Sequence, residues 1–209
     1  MDLGQETLFG TKVIKSVSFN EQEIIRDILY LHCDSKPIEC DPTYSIGNFY
    51  KNGLTKPKYR FDLKPQVPNV VKSCSTNLPL ENDSITTMMF DPPFMFGKHG
   101  KTDENIMNKR FSMYDKWQDL EWHYKNSLLE FARVLKTKGI LIFKCQDYTD
   151  SKTTLTHTYV HKWAEEVGFY AKDLFILLSK GAIANKSLQQ RHARKYHSYY
   201  FVFERGKKN

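Results

Sequence analysis

The chain has 209 residues, 40% hydrophobic and 26% charged, with 14 Phe and 12 Tyr; this suits one globular domain and excludes a disordered chain. Lys and Arg number 31 against 24 Asp and Glu, and the net charge of +7 favours an acidic partner, nucleic acid first. Four scattered cysteines (Cys33, Cys40, Cys74, Cys145) form no CxxC pair, which argues against a structural zinc site or a disulfide framework and for a reducing compartment.

The opening MDLGQETLFGTKVIKS lacks the apolar stretch of a signal peptide, and no apolar run reaches the roughly 18 residues of a membrane span. A soluble, cytoplasmic protein is expected. Residues 20–32 read as an amphipathic helix, with Asn20 and Glu23 at capping-box spacing and Ile24, Ile25, Ile28 and Leu29 on one face. Pro37–Cys40 reads as a strand feeding the loop Asp41-Pro42-Thr43-Tyr44-Ser45-Ile46-Gly47. Tyr59–Asp62 is a second short strand that ends in an acid, Val70-Val71 a third, and Ile85–Phe90 a β-rich run that stops at Asp91-Pro92-Pro93-Phe94. Residues 95–118 form a long polar loop, of a length that binds something or is disordered. A helix over 119–136, broken at Lys138-Gly139, precedes the buried strand 139–144; a further helix covers 156–167, ended by Gly168. Strands 172–178 and 198–204, joined by a basic insert, close the chain. Helices alternating with strands, then a β-pair, predict an α/β sandwich on a mainly parallel sheet.

The sharpest motif is Asp91-Pro92-Pro93-Phe94, at the point where a strand hands over to a loop. Parallel sheets open their ligand crevices at such C-terminal strand ends. Two prolines stiffen the backbone and remove two amide donors, so adjacent carbonyls are available to a ligand's N–H groups. A carboxylate and a carbonyl together make a two-acceptor site for an –NH2 group, and Phe94 offers a flat face to a base ring. The alternative is a proline-stiffened turn capped by Asp.

These residues resemble the signature loop of the amino-methyltransferases, which move a methyl group from S-adenosylmethionine to the exocyclic nitrogen of adenine or cytosine. The resemblance spans about residues 18–204. It implies that Asp41, Pro42, Thr43, Ser45 and Gly47 form a cofactor loop similar to Asp-Pro-x-x-Gly-x-Gly, with Ser45 in place of the first glycine. It implies that Asp62 holds the ribose hydroxyls, and that Cys74 stands where an Asp often meets the adenine amine, with Ser75 as another donor. It implies a Rossmann-like class I methyltransferase with a mainly parallel seven-stranded sheet, a C-terminal antiparallel β-pair and helices on both faces. Asp91, Pro92, Pro93 and Phe94 are then the catalytic residues. Adenine N6 in DNA is the first substrate, because Asp before Pro-Pro resembles the adenine enzymes, whereas the cytosine-N4 enzymes often carry Ser there. The same core also suits an RNA base methyltransferase, a cytosine-N4 enzyme, or an inactive nucleic-acid-binding module, the last motivated by Ser45 and Cys74. No dedicated base is required early, since positioning and electrostatics carry the transfer and the proton becomes acidic only after the methyl arrives.

Residues 1–209 read as a single domain, a small stand-alone enzyme of bacterial or phage type, monomer or homodimer. Its short chain leaves substrate readout to a mobile loop at 95–118 and a basic hairpin insert at 180–198. The insert brings Gln190, Arg191, His192, Arg194, Lys195 and His197 among tyrosines, and the loop brings Lys98 and Arg110, the mixture of cations and rings that a nucleic-acid site needs. A solvated basic hairpin is the plainer alternative. His157 and His161 have metal-ligand spacing but no third ligand, so a surface helix is expected and no metal. Asp147 and Asp150 read as loop and capping residues, with Lys144 or Asp147 able to line a pocket from their strand end.

Overall fold

A computed structural model describes residues 13–97, 114–149, 152–179 and 191–207. Among these residues ten strands and three α-helices follow one another: β1 (Val17–Ser18), α1 (Glu21–His32), β2 (Cys40–Asp41), β3 (Tyr59–Asp62), β4 (Val71–Lys72), β5 (Ile85–Phe90), α2 (Trp117–Val134), β6 (Leu135–Cys145), β7 (Tyr148–Thr149), β8 (Thr153–Thr154), α3 (Thr156–Glu166), β9 (Phe169–Leu178) and β10 (His197–Arg205). The sheet is eight-stranded, in the order β1-β9-β10-β6-β5-β2-β3-β4. The expected seven becomes eight because Val17 and Ser18 pair in parallel with Ile176 and Leu177 at one edge. Strand β10 runs antiparallel to both β6 and β9, which is the expected closing pair. The two-residue strands β7 and β8 form a separate hairpin that no periodicity announced.

Strict alternation along the central strands builds two cores. Met88, Phe90, Leu141, Phe143, Phe201 and Phe203 face α2 and α3. Met89, Ile140, Ile142, Tyr200 and Val202 face Ile24, Ile25 and Ile28 of α1. Phe90 shows the packing: its ring centroid lies 4.8 Å from Phe131 and 4.9 Å from Phe143, edge to face. Burial of such a side chain contributes about 1.5–3 kcal/mol.

Helix α1 begins as read: Asn20 Oδ1 accepts from the N–H groups of Gln22 and Glu23. The capping box is relayed, because Glu23 accepts from the Ser18 hydroxyl and Ser18 Oγ accepts the Asn20 N–H. Helix α2 ends at Val134, two residues before the expected 136, and the chain enters β6 with no loop between. The excess residues loop out where Ile85 pairs with Leu135 and Thr87 with Ile140, a bulge turned by Lys138 at φ 65° and by Gly139. A Cβ on Gly139 would stand 2.8 Å from the Lys136 carbonyl oxygen, so only glycine fits.

Strand order reverses between β2 and β5. From β2 the chain runs outward through β3 and β4, then returns to the other side of β2 as β5. In open α/β sheets such a reversal is where the ligand crevice is expected, beyond the C-terminal ends of β2 and β5. No helix among the described residues is long and apolar enough to cross a membrane.

Candidate active site

Asp41, at the end of β2, is fully buried. Its Oδ1 accepts from the Thr43 N–H at 2.8 Å and the Thr43 hydroxyl at 3.2 Å, and its Oδ2 from the Tyr50 hydroxyl at 2.7 Å. Burial pushes its pKa up to about 7, against the pull of the Tyr50 and Thr43 hydrogen bonds. The Thr43 hydroxyl accepts the Asp91 N–H at 2.9 Å, so Asp41 and Thr43 tie the loop after β2 to the loop after β5. Pro42 is buried beneath them.

The rest of the loop runs through the left-handed region, with Ser45 at φ 51° and Gly47 at φ 72°. Ser45 thus takes the conformation that glycine would adopt freely. Gly47 is needed for room as well, since a Cβ there would come within 2.5 Å of the Tyr44 hydroxyl. The Tyr44 ring is held by stacking on Tyr50 at 5.5 Å. The Ser45 N–H donates to Asp62 Oδ2 at 2.9 Å and the Lys64 N–H to Asp62 Oδ1 at 2.7 Å. Asp62 is half-buried, and each oxygen keeps capacity for another donor.

Asp91 follows β5 across the crevice. Its side chain keeps 28% of its exposure, and Oδ2 lies 3.4 Å from Lys144 Nζ. Its Oδ1 has no hydrogen-bond partner among the described residues and is not shut away from solvent. Burial raises the Asp91 pKa, Lys144 opposes that rise, and Glu21 adds to it. The two proline carbonyls differ. Pro93 accepts from the buried Tyr124 hydroxyl at 2.8 Å, which anchors the motif on α2, whereas the Pro92 carbonyl has no partner among the described residues. The two-acceptor site expected from the motif thus narrows to Asp91 Oδ1 and the Pro92 carbonyl. Phe94 is half-buried yet joins neither hydrophobic cluster and pairs with no other ring among the described residues.

The remaining predicted residues fall elsewhere. Cys74 Sγ accepts from the Thr76 hydroxyl at 3.1 Å. The Ser75 hydroxyl bonds His123 Nε2 at 2.7 Å and Ser127 Oγ at 2.9 Å, and Tyr114 caps the His123 ring at Nδ1. This chain fastens the 73–78 turn to α2 and leaves Ser75 only its backbone for a ligand. Burial pushes the His123 pKa down to about 4. Arg191, His192 and Arg194 are exposed, Lys195 is half-buried with its carbonyl accepting from Gln146, and His197 Nε2 meets the Tyr199 hydroxyl at 2.9 Å. Lys98, Arg110, Gln190 and Asp150 lie outside the described residues, as do most of the 95–118 loop and the first half of the basic insert. Both flanks of the 98–113 segment are pinned, Gly97 N–H to the Tyr114 carbonyl and Tyr114 N–H to Met95.

Sequence reasoning offered Lys144 or Asp147 to the pocket and missed Glu21. Lys144 Nζ donates to Glu21 Oε1 at 2.8 Å, and Glu21 also accepts from the Tyr200 hydroxyl. The signal for Lys144 was a single lysine closing an otherwise apolar strand; Glu21 carried none beyond its place in the first turn of α1. A second cluster was read as separate capping and surface residues. Asp147 Oδ1 accepts from His157 Nδ1 at 2.7 Å and from the His157 N–H at 3.2 Å, and its Oδ2 accepts from the Tyr199 hydroxyl at 3.3 Å. His161 reaches Glu165 instead of pairing with His157, and no group of three His, Cys, Asp or Glu gathers among the described residues.

No protein-family model matches the chain, and no curated protein sequence matches it. Solved structures do. A candidate sarcosine dimethylglycine methyltransferase from Galdieria sulphuraria superposes at TM-score 0.55 and 11% identity, over 88% of this chain and 85% of that one. A SAM-dependent methyltransferase from Leishmania major gives TM-score 0.51 at 10% identity, over 88% of this chain and 71% of that one. A candidate DNA modification methylase from Thermus thermophilus, complexed with S-adenosyl-L-methionine, gives 0.40 at 11% identity over 63% of this chain and 52% of that one, so this chain spans about half its length. With this strand order, reversed between β2 and β5, and these likenesses, the chain has the Rossmann-like class I methyltransferase fold. Within that fold, Asp91-Pro92-Pro93-Phe94 beyond β5 marks the candidate active site.

Proposed function

We propose that the protein transfers a methyl group from S-adenosylmethionine to the exocyclic amine of a nucleic-acid base, adenine N6 in DNA first. One observation carries this reading: Asp91 Oδ1 and the Pro92 carbonyl are unpartnered acceptors beside Phe94, a half-buried ring that no other ring pairs with among the described residues. An aromatic amine has two N–H donors and a flat ring, and these groups match it. The residues of the crevice also fit the cofactor. Asp62 offers two carboxylate oxygens suited to a pair of vicinal hydroxyls, and the left-handed backbone at Ser45 and Gly47 allows close approach. Glu21, Lys144 and Asp91 together carry one net negative charge, which suits a cationic sulfonium.

When bound, S-adenosylmethionine supplies an electrophilic methyl on a positive sulfur. The protein's contribution is to hold the amine still and to draw on its hydrogens. Asp91 Oδ1 and the Pro92 carbonyl accept those hydrogens, which returns electron density to nitrogen, and Phe94 stacks on the base. After transfer the amine is positive, and the net negative charge around it stabilises it until a proton leaves. Arg191 and Arg194, exposed just ahead of β10, and the half-buried Lys195 would supply the cations that meet phosphates. A monomer or homodimer acting on DNA is the accompanying expectation.

The test is nucleoside mass spectrometry after incubating DNA and RNA with the protein and methyl-labelled cofactor. Label on N6-methyladenine from DNA is the expected result. Label only in RNA would transfer the reading to that polymer, label on cytosine N4 would change the base, and no label in either polymer would overturn it.

A further inference from the structure

Lys144 lies between the two carboxylates of the crevice, 2.8 Å from Glu21 Oε1 and 3.4 Å from Asp91 Oδ2. A lysine at the end of a buried strand usually extends its head into water. This one keeps 17% of its side-chain exposure, with its ammonium 5.0 Å from the Phe49 ring centroid and 5.6 Å from that of Tyr200. Burial presses its pKa down, but Asp91 and Glu21 outweigh burial and raise it, so the amine stays a cation. Aromatic faces on two sides add to that preference.

The groups that face Asp91 come from every neighbouring element. They are Glu21 from α1, Asp41 and Thr43 from the loop after β2, Tyr124 from α2, Lys144 from β6 and Tyr200 from β10. Lys144 is the only cation among them. Without it, Glu21 and Asp91 would face each other as two like charges on side chains only 24% and 28% exposed, and one would take up a proton. Glu21 keeps the Tyr200 hydroxyl as a donor, whereas Asp91 loses its only side-chain donor among the described residues. The proton would therefore go to Asp91. A protonated Asp91 is a weaker acceptor and offers an O–H where an amine hydrogen should dock.

We propose that Lys144 is a positioning residue: it keeps Asp91 a carboxylate and occupies Oδ2, leaving Oδ1 as the one oxygen offered to an incoming amine. This rests on the reading of Asp91 as the amine acceptor, but the hold of Lys144 on Asp91 is measurable without any methyl transfer.

The experiment follows the Asp91 carboxyl carbon by NMR in aspartate-labelled protein, with Asp91→Asn identifying its signal, in the wild type, K144M, K144R and E21Q/K144M. In K144M the Asp91 titration should move up by about one pH unit or more, as expected for loss of an opposite charge at this range. K144R should stay near the wild type, and E21Q/K144M should fall part of the way back because the competing carboxylate is gone. In methyl transfer, the acid limb of kcat should move up with the NMR titration in K144M. Should K144M fail to fold, K144Q gives the same comparison. An Asp91 titration identical in the wild type and the folded variant overturns the proposal, as does a fall in kcat without movement of the acid limb. A titration that moves as described, in a protein that methylates no base amine, supports the Lys144–Asp91 coupling and overturns the methyl-transfer reading instead.

Discussion

Asp91 and Asp147 stand just beyond neighbouring strands, β5 and β6, at the same end of the sheet, and their surroundings are opposite. Asp147 keeps 3% of its side-chain exposure and spends both oxygens, Oδ1 on His157 and Oδ2 on Tyr199. Asp91 keeps 28%, spends Oδ2 on Lys144 at a long 3.4 Å, and has no partner for Oδ1 among the described residues. A carboxylate whose lone pairs are all used holds a fold together, because removing it strands buried donors. One with an unused oxygen beside a crevice has capacity left for a ligand. The same contrast separates Asp41, closed by Thr43 and Tyr50, from Asp62, which meets two backbone N–H groups and still has room.

This contrast is broken or sharpened by substitutions that should separate function from stability. Asp91→Ala should lower methyl transfer by about 10²–10³-fold, the scale for losing one preorganised polar group at a reacting centre, with little change in the urea midpoint. Appreciable transfer by that variant would reduce Asp-Pro-Pro-Phe to a turn. Next in size, Asp62→Ala should weaken S-adenosylmethionine binding by about 1.5–3 kcal/mol, the range for hydrogen bonds to a charged group, as measured by calorimetry on the folded protein. Asp147→Ala should do the reverse of Asp91→Ala. It should cost about 1–3 kcal/mol of stability in urea unfolding, because it strands the His157 N–H and Nδ1, while the folded fraction retains most of its transfer rate. If Asp147→Ala proved stable and inactive, the division between the two aspartates would fail.

Smaller effects concern pH and salt. His123 has its pKa at about 4 in the folded protein, below the ordinary value of 6.5, so it favours folding only while neutral. Its contribution should be complete above pH 6.5 and should decline as pH falls from there to about 4. Thermal denaturation across that window, wild type against His123→Gln, should show the gap between them narrowing toward low pH. Replacing Arg191, Arg194 and Lys195 together with Ala should flatten the salt dependence of DNA binding by about 0.9 in log–log slope for each phosphate that is no longer neutralised, with cofactor affinity unchanged. Parallel salt lines with equal intercepts would show that this segment does not meet the DNA backbone.

Local patterning determined a good deal of this protein. Strands at Tyr59–Asp62 and Ile85–Phe90 and a helix capped by Asn20 stand where periodicity and capping chemistry put them, because those signals come from neighbours in the chain. The Asp-Pro-Pro-Phe motif could be read for the same reason: its chemistry lies within four consecutive residues. Boundaries set by packing were not legible. Helix α2 gives way to β6 at Leu135 because that residue pairs with Ile85, a partner 50 positions away that no local pattern reveals. Nor could the sequence separate the two proline carbonyls, since the donor that takes Pro93 is Tyr124, 31 residues on. Composition marks Lys144, Glu21 and Tyr200 as a buried lysine, a helix-start acid and a core tyrosine. Only the pairing of β6 with β5 and β10, and the packing of α1 across them, brings Lys144 and Tyr200 within hydrogen-bond reach of Glu21, and Lys144 of Asp91. Charge pairing of that kind depends on distance through space, and the distances are set by the sheet.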